Sequence, residues 1–271
     1  MEWYEIQLLL PLPLLESVYN YLWPFINGIS MERDKEDFLI KAYIFSSYPD
    51  NFLKRLNYFL KIQAKSYKIH YNPPNAFMTQ PFFAEKFIIV PFPASHIPPF
   101  GIPIFIQRGR SFGIGSHPCT IYCLKALTEV MRKNHIKNIL DAGTGTGILA
   151  IAASKLGASN IKAVEILPEA IAEASENVRL NKAEDRVAII HCSVTEIEGL
   201  YDLIIANLYG TLLKEIAPLL IERLASKGWL IISGMSKEQS EIVISAFTHR
   251  GLELHKILSD EEWFSAVLKS K

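Results

Sequence analysis

The sequence is poor in the features that mark several large classes of protein. Its 271 residues include three cysteines, Cys119, Cys123 and Cys192, too few and too scattered for a disulfide framework. Cys119 and Cys123 sit near His117, but this spacing matches no zinc pattern, so no metal is expected. Net charge is missing too: 28 acidic residues balance 28 basic ones, which removes any global electrostatic reason to bind nucleic acid or an anionic membrane. Direct nucleic-acid readout is therefore not expected. The apolar start from Leu8 to Pro13 follows Glu2 and Glu5 rather than a basic stretch, which argues against a signal peptide. The run from Phe87 to Gln107 carries no formal charge and is about as long as a bilayer span. Pro91, Pro93, Pro98, Pro99 and Pro103 would leave its carbonyls unpaired in lipid, so it reads as strands and loops. Repeats and low-complexity segments are absent. A cytoplasmic monomer with no membrane partner is the expectation.

What is present falls into two parts. Residues 3–10 suit a strand, 13–26 a helix, 27–32 and 36–45 two strands, 50–62 a helix, and 67–71 a strand. That order is the ferredoxin-like α+β pattern, assigned to residues 1–71. Asn72-Pro73-Pro74-Asn75 excludes helix and opens a linker, 72–81. In 82–271 apolar strands alternate with amphipathic helices. Strands are expected at 137–142, 161–166, 187–191, 201–206, 229–233, 252–258 and 262–269. Helices are expected at 120–133, 147–156, 168–181, 211–225 and 236–250. Runs such as Leu203-Ile204-Ile205 and Leu230-Ile231-Ile232 are apolar on both faces, as buried parallel strands require. This predicts a doubly wound α/β domain whose last two strands form a hairpin.

In such sheets ligands sit at the C-terminal ends of the strands. Asp141, Glu165, Ser193 and Asn207 all fall at or just past such ends. Between Asp141 and the next helix lie Gly143, Gly145 and Gly147, a G-x-G-x-G pattern rather than the G-x-G-x-x-G of dinucleotide sites. Glycine permits a tight turn and close approach of a ligand. Glu165, ending the next strand, suits two ribose hydroxyls. The bland alternative is a glycine-rich connection and a surface glutamate. Asn207 could accept a hydrogen bond from an amine, or merely cap the following helix. Phe112-Gly113-Ile114-Gly115-Ser116-His117-Pro118-Cys119-Thr120 forms a loop leading into a helix, with Pro118 at its first turn. His117 and Thr120 would face the pocket, unless Thr120 bonds only to its own backbone.

The glycine turn resembles motif I of the S-adenosylmethionine-dependent methyltransferases. With the loop ending in His117-Pro118-x-Thr120, Asn177 with Leu180-Asn181, Ala206-Asn207-Leu208, Ser233-Gly234 and Trp263, the chain resembles a bacterial family. Its members are the lysine methyltransferases that modify large-subunit ribosomal protein eleven. The resemblance runs from about Phe82 to the end. It implies a Rossmann-like seven-stranded class I methyltransferase sheet, α/β in class, with S-adenosyl-L-methionine as cofactor. Ribosomal protein eleven becomes the partner, recognised by the N-terminal module. The implied cofactor contacts are Thr120, Gly143, Glu165 and Asn207, joined by Asp141, Gly145, Ser193, His117 and Phe112 from the loops and strand ends. Asn207 is also the catalytic candidate.

The chain departs from the family in four places. Gln107-Arg108-Gly109, followed by Arg110, stands where Asp-Pro-Gly is usual, and Gly113-Ile114-Gly115-Ser116 replaces Gly-Thr-Gly-Thr. Glu165 replaces the commoner aspartate, and no tryptophan-rich signature precedes Phe82. These leave three rivals open: the same chemistry on another protein or a small amine, a catalytically silent cofactor-binding module, and a nicotinamide-dependent oxidoreductase.

Overall fold

The computed structural model describes residues 3–11, 13–14, 18, 22, 28–34, 37–45, 58–61, 66–72, 82–93, 101–107, 115 and 117–271. Phe112, residues 73–81 of the expected linker, and most of the expected helices at 13–26 and 50–62 lie outside the described residues. The chain divides into two compact units, Met1–Thr79 and Gln80–Lys271.

The first unit is a four-stranded antiparallel sheet of β1 (Trp3–Pro11), β2 (Gly28–Asp34), β3 (Asp37–Phe45) and β4 (Ser66–Asn72). The strands run in the order β2-β3-β1-β4, which is the ferredoxin-like order. Alternation sets the register: Ile6, Leu8 and Leu10 are buried, and Ile6 and Leu8 stand opposite Ala42 and Ile40. Buried Val18, Leu22 and Leu60, all at helical positions, add to this core.

The second unit opens with a small sheet of β5 (Phe82–Ala84), β6 (Phe87–Phe92) and β7 (Ile102–Gln107). Its principal sheet contains β8 (Asn138–Ala142), β9 (Asn160–Glu165), β10 (Val187–His191), β11 (Tyr201–Asn207), β12 (Leu224–Ser236), β13 (Glu253–Ser259) and β14 (Trp263–Lys269). The order is β10-β9-β8-β11-β12-β14-β13, with β14 antiparallel to both neighbours and the remaining pairs parallel. The helices are α1 (Pro118–Lys133), α2 (Ile148–Lys155), α3 (Pro168–Leu180), α4 (Gly210–Glu222) and α5 (Lys237–Thr248). Strand order reverses between β8 and β11, so the glycine turn after β8 stands at the switch point where open sheets bind ligands.

One element differs from expectation. The helix expected to reach residue 225 ends at Glu222, and β12 already begins at Leu224, opposite Tyr201 of β11. The pairing then jumps, so that Leu203 stands opposite Trp229. Lys227, in the left-handed region at φ 60°, makes this bulge, and the Ser270 amide closes it on the Gly228 carbonyl at 2.9 Å. A polar stretch, Ala225-Ser226-Lys227-Gly228, thus interrupts the strand's apolar pattern and conceals its start.

Asn177 of α3 and Asn181, its C-cap, tie the small sheet to the principal one. The Asn181 amide group donates to the Phe105 carbonyl at 2.6 Å, and its oxygen accepts from the Phe105 amide at 3.0 Å. Asn177 accepts from the Gln107 amide at 2.6 Å and donates to the Thr146 carbonyl at 2.8 Å. The open edge of β7 is satisfied by side chains, and one of them reaches the glycine turn.

Candidate functional site

The turn after β8 is made from left-handed backbone: φ is 73° at Gly143, 54° at Gly145 and 81° at Gly147, values that side-chain-bearing residues rarely adopt. The amides of Gly143 and Thr144 both donate to the Val164 carbonyl at 3.0 Å, pinning the turn to β9. Gly147 then serves as the N-cap of α2.

Asp141 builds this turn from beneath. It is 1% exposed, and its Oδ2 accepts from the Thr144 hydroxyl at 2.6 Å and from the Ala150 amide at 3.1 Å. The second bond satisfies one of the donors that a helix start leaves open. Its Oδ1 has no partner. Burial pushes the carboxyl up to about 6, against the pull of Thr144 and Ala150. Asp141 was expected beside the cofactor; its occupied oxygen belongs to the scaffold of the turn.

Glu165, half-buried at the end of β9, joins the turn directly. Its Oε2 accepts from the Gly145 amide at 3.1 Å, and its Oε1 accepts from the amides of Ile166 and Leu167 at 2.8 and 3.1 Å. His191 ends β10 opposite Glu165. Ser193 lies two residues further and is folded into its own turn: its hydroxyl accepts from the Thr195 hydroxyl and amide at 2.8 and 3.2 Å. No hydrogen bond links Ser193 to the glycine turn among the described residues.

Asn207 ends β11, half-buried, opposite Ser233 of β12. The next residue, Leu208, is wedged between two glycines. Its amide donates to the Ser233 carbonyl at 2.9 Å, a Cβ on Gly143 would come within 2.5 Å of its Cδ2, and a Cβ on Gly234 would collide with its backbone. The Asn207 loop and the glycine turn are therefore packed directly together. Neither Ser233-Gly234 nor the Leu208 wedge follows from periodicity; the sequence signals are the family resemblance, which includes both stretches, and a serine and a glycine interrupting an apolar strand.

The start of α1 supplies the remaining candidates. His117 is the N-cap: its Nδ1 accepts from the Cys119 amide at 3.2 Å, satisfying an open donor beside Pro118, which has none. Burial lowers the imidazole's pKa, while the nearby Asp260 carboxylate pulls it up. Thr120 is fully buried, and its hydroxyl has no hydrogen-bond partner. Its own helix does not satisfy it, contrary to the bland expectation. Beneath this turn the Ser233 hydroxyl donates to the Cys119 carbonyl at 3.3 Å and bonds the Ser265 hydroxyl at 2.5 Å. Burial pushes the Cys119 thiol up to about 11 and raises that of Cys123 as well, so neither is a ready nucleophile.

The structure thus bonds Gly145 to Glu165 directly, ties Asp141 and Gly143 into the same turn through Thr144 and Val164, and adds Asn207 through Leu208. Thr120 and His117 join through Cys119 and Ser233. Among the described residues no group of three His, Cys, Asp or Glu side chains could hold a metal. No helix among them is long and apolar enough to cross a membrane.

A sequence model of the family described as ribosomal protein L11 methyltransferase matches residues 74–271. Among curated proteins, the ribosomal protein L11 methyltransferase of Geotalea uraniireducens is 37% identical over 172 residues, covering 60% of this chain and 55% of that protein. That of Bacillus cereus is 33% identical over 210 residues, covering 76% of this chain and 64% of that protein. The chain therefore spans between 55% and 64% of the length of these relatives. Among solved structures, a ribosomal protein L11 methylase from Lactobacillus delbrueckii subsp. bulgaricus superposes with a TM-score of 0.63 at 28% identity. That match covers 69% of this chain and 95% of the other.

Proposed function

The chain belongs to the ribosomal protein L11 methyltransferase family, and from that premise we propose that it is an S-adenosylmethionine-dependent protein N-methyltransferase. The acceptors are lysine or α-amino nitrogens of large-subunit ribosomal protein eleven. The observation that carries the reading is the glycine turn at the switch point, bonded to Glu165 and packed on the Asn207 loop. The fully buried, unpaired Thr120 hydroxyl supports it, since a buried polar atom without a partner costs about 1–3 kcal/mol unless a ligand completes it.

S-adenosylmethionine, when bound, supplies an electrophilic methyl group on a sulfonium. Gly143 and Gly145 would offer the ligand the backbone of the turn that their left-handed conformation makes. Glu165 takes the ribose hydroxyls. A carboxylate has about four acceptor sites, and three are taken by amides. One site, on Oε2, is left for a ribose hydroxyl. Asn207 accepts from the amine through its side-chain carbonyl and holds the nitrogen lone pair toward the donor. A lysine with a free pKa of about 10.4 must first lose its proton, which a dry site favours. Positioning does most of the rest. Residues 1–71 recognise the protein substrate, and the three unbridged cysteines support a reducing cytoplasm. The chain acts as a monomer.

Labelled S-adenosylmethionine with purified large-subunit ribosomal proteins tests the reading. Label is expected on protein eleven. Label on another protein or on a small amine moves the acceptor; no transfer to any amine, with cofactor still bound, favours the silent module.

A further inference from the structure

The first turn of α1 is held by two sets of contacts, and only one is buried. Inside, the Ser233 hydroxyl donates to the Cys119 carbonyl and is itself bonded to the Ser265 hydroxyl. Outside, three residues along, the Tyr122 hydroxyl donates to Asp260 Oδ2 at 3.0 Å. Asp260 lies in the turn between β13 and β14. Its Oδ1 accepts from the amides of Glu262 and Trp263 at 2.9 and 2.7 Å, and its own amide donates to the Trp263 carbonyl at 3.1 Å. The Trp263 indole meets the helix start again: it lies 4.7 Å from the His117 ring, centroid to centroid, at an interplanar angle of 71°. The β13–β14 turn thus touches α1 at His117 and at Tyr122, one on either side of Thr120 in sequence.

Asp260 and Glu262 are exposed, and Tyr122 is half-buried. Contacts of this kind add little to global stability, because water replaces a lost partner. Their effect is on geometry. The Cys119 carbonyl and the Tyr122 side chain belong to residues about one turn apart, so their bonds anchor the start of α1 at two successive levels. Thr120 stands about 100° around the helix from Cys119, and its direction follows from that anchoring. A group completing a ligand's hydrogen bonds must be held to within about 0.5 Å.

We propose that Asp260 is a positioning residue for the cofactor wall. Through Tyr122, and through Trp263 against His117, it holds the α1 turn that presents Thr120. The inference rests on the reading of Thr120 as a cofactor contact.

The test is calorimetric titration of the full chain with S-adenosylhomocysteine, alongside thermal unfolding and acceptor kinetics. Asp260→Ala and Tyr122→Phe are each expected to raise the dissociation constant about three- to tenfold, with kcat at saturating cofactor and the unfolding midpoint unchanged. Asp260→Asn keeps an acceptor for the Glu262 and Trp263 amides and lets the Tyr122 hydroxyl accept instead of donate. It is expected to stay within about twofold of the wild type. Unaltered affinity in both Asp260→Ala and Tyr122→Phe overturns the proposal, and so does a weakening matched by a lower unfolding midpoint. A wild type that does not bind S-adenosylhomocysteine overturns the functional reading, and this inference with it.

Discussion

The glycine turn and the first turn of α1 face the same task by different means. The turn takes its shape locally, though Val164 and Glu165 of the next strand pin it: Asp141 reaches Thr144 and Ala150 within ten residues, and left-handed glycines supply the bends. The α1 turn is assembled from afar: Ser233 meets Cys119 across 114 residues, and Asp260 meets Tyr122 across 138. A local device is sensitive to backbone changes and stores its information in a short motif. An assembled one is sensitive to side chains on other elements, and its members need not look functional one at a time.

The largest expected effect comes from breaking the local side. Gly143→Val places a β-branched residue at φ 73° and drives its Cβ into Leu208. Left-handed strain of about 1–2 kcal/mol and overpacking of about 1–3 kcal/mol combine. Denaturant unfolding should record the loss, and titration should find no S-adenosylhomocysteine binding. Retained binding would mean that the turn is more pliant than its hydrogen bonds imply. Next is Asn207→Ala, which removes a half-buried side chain at the junction of the two regions. Methyl transfer should fall about a hundredfold through lost positioning, while circular dichroism stays near wild type. A normal kcat would return Asn207 to the role of a helix-preceding turn residue.

Third is Asp141. Its folded carboxyl titrates near 6 against an ordinary 3.8. The folded chain therefore keeps the proton where the unfolded chain releases it. Its contribution is most favourable below pH 3.8, declines between there and about 6, and is level above. The decline amounts to at most about 3 kcal/mol, at about 1.4 kcal/mol per unit. Carboxyls held low, Glu129 among them, slope the other way. The readout is therefore the difference between wild type and Asp141→Asn in urea unfolding from pH 4 to 7. A difference that does not change with pH would remove the buried charge from the account of the turn.

The sequence was most legible where structure is local. The alternation of apolar strands and amphipathic helices is enough to predict the doubly wound domain, and the turn at Gly143–Gly147 announces itself by spacing. In the first unit the four strands expected from the sequence are present, in the order β2-β3-β1-β4. What stayed hidden was tertiary. The start of β12 was concealed because Leu224 pairs with Tyr201 before a polar bulge. Asp141 and Ser193 sit at strand ends as a ligand residue would, but Asp141 Oδ2 and the Ser193 hydroxyl also bond Thr144 and Thr195, which strand periodicity cannot reveal. Asn177 and Asn181 stood out only through the family resemblance. Their work, closing the edge of β7, links positions 70 and 76 residues apart. Asn181→Ala should leave the Phe105 amide and carbonyl unpaired, at about 1–3 kcal/mol in unfolding free energy. Cofactor affinity should barely change, since Asn177 still holds Thr146; a large loss would show that the turn depends on the β7 edge.

The smallest expected effect sharpens the contrast from the assembled side. His117→Ala removes the N-cap of α1 and the ring against Trp263, which should cost about 1 kcal/mol above neutral pH. That contribution depends on pH, because Nδ1 can accept from the Cys119 amide only while unprotonated. Burial lowers the folded pKa from 6.5, so the unfolded chain takes up the proton first. The stabilisation is therefore whole above 6.5 and is lost progressively as pH falls below it, toward the lower folded value. Unfolding free energies of wild type and His117→Ala should differ most near pH 8 and converge in mild acid. Parallel curves would assign the cap's value to ring packing rather than to the hydrogen bond. A difference that widens in acid would place a proton on His117 in the folded chain, drawn there by Asp260, and would make the outer contacts of α1 electrostatic rather than geometric.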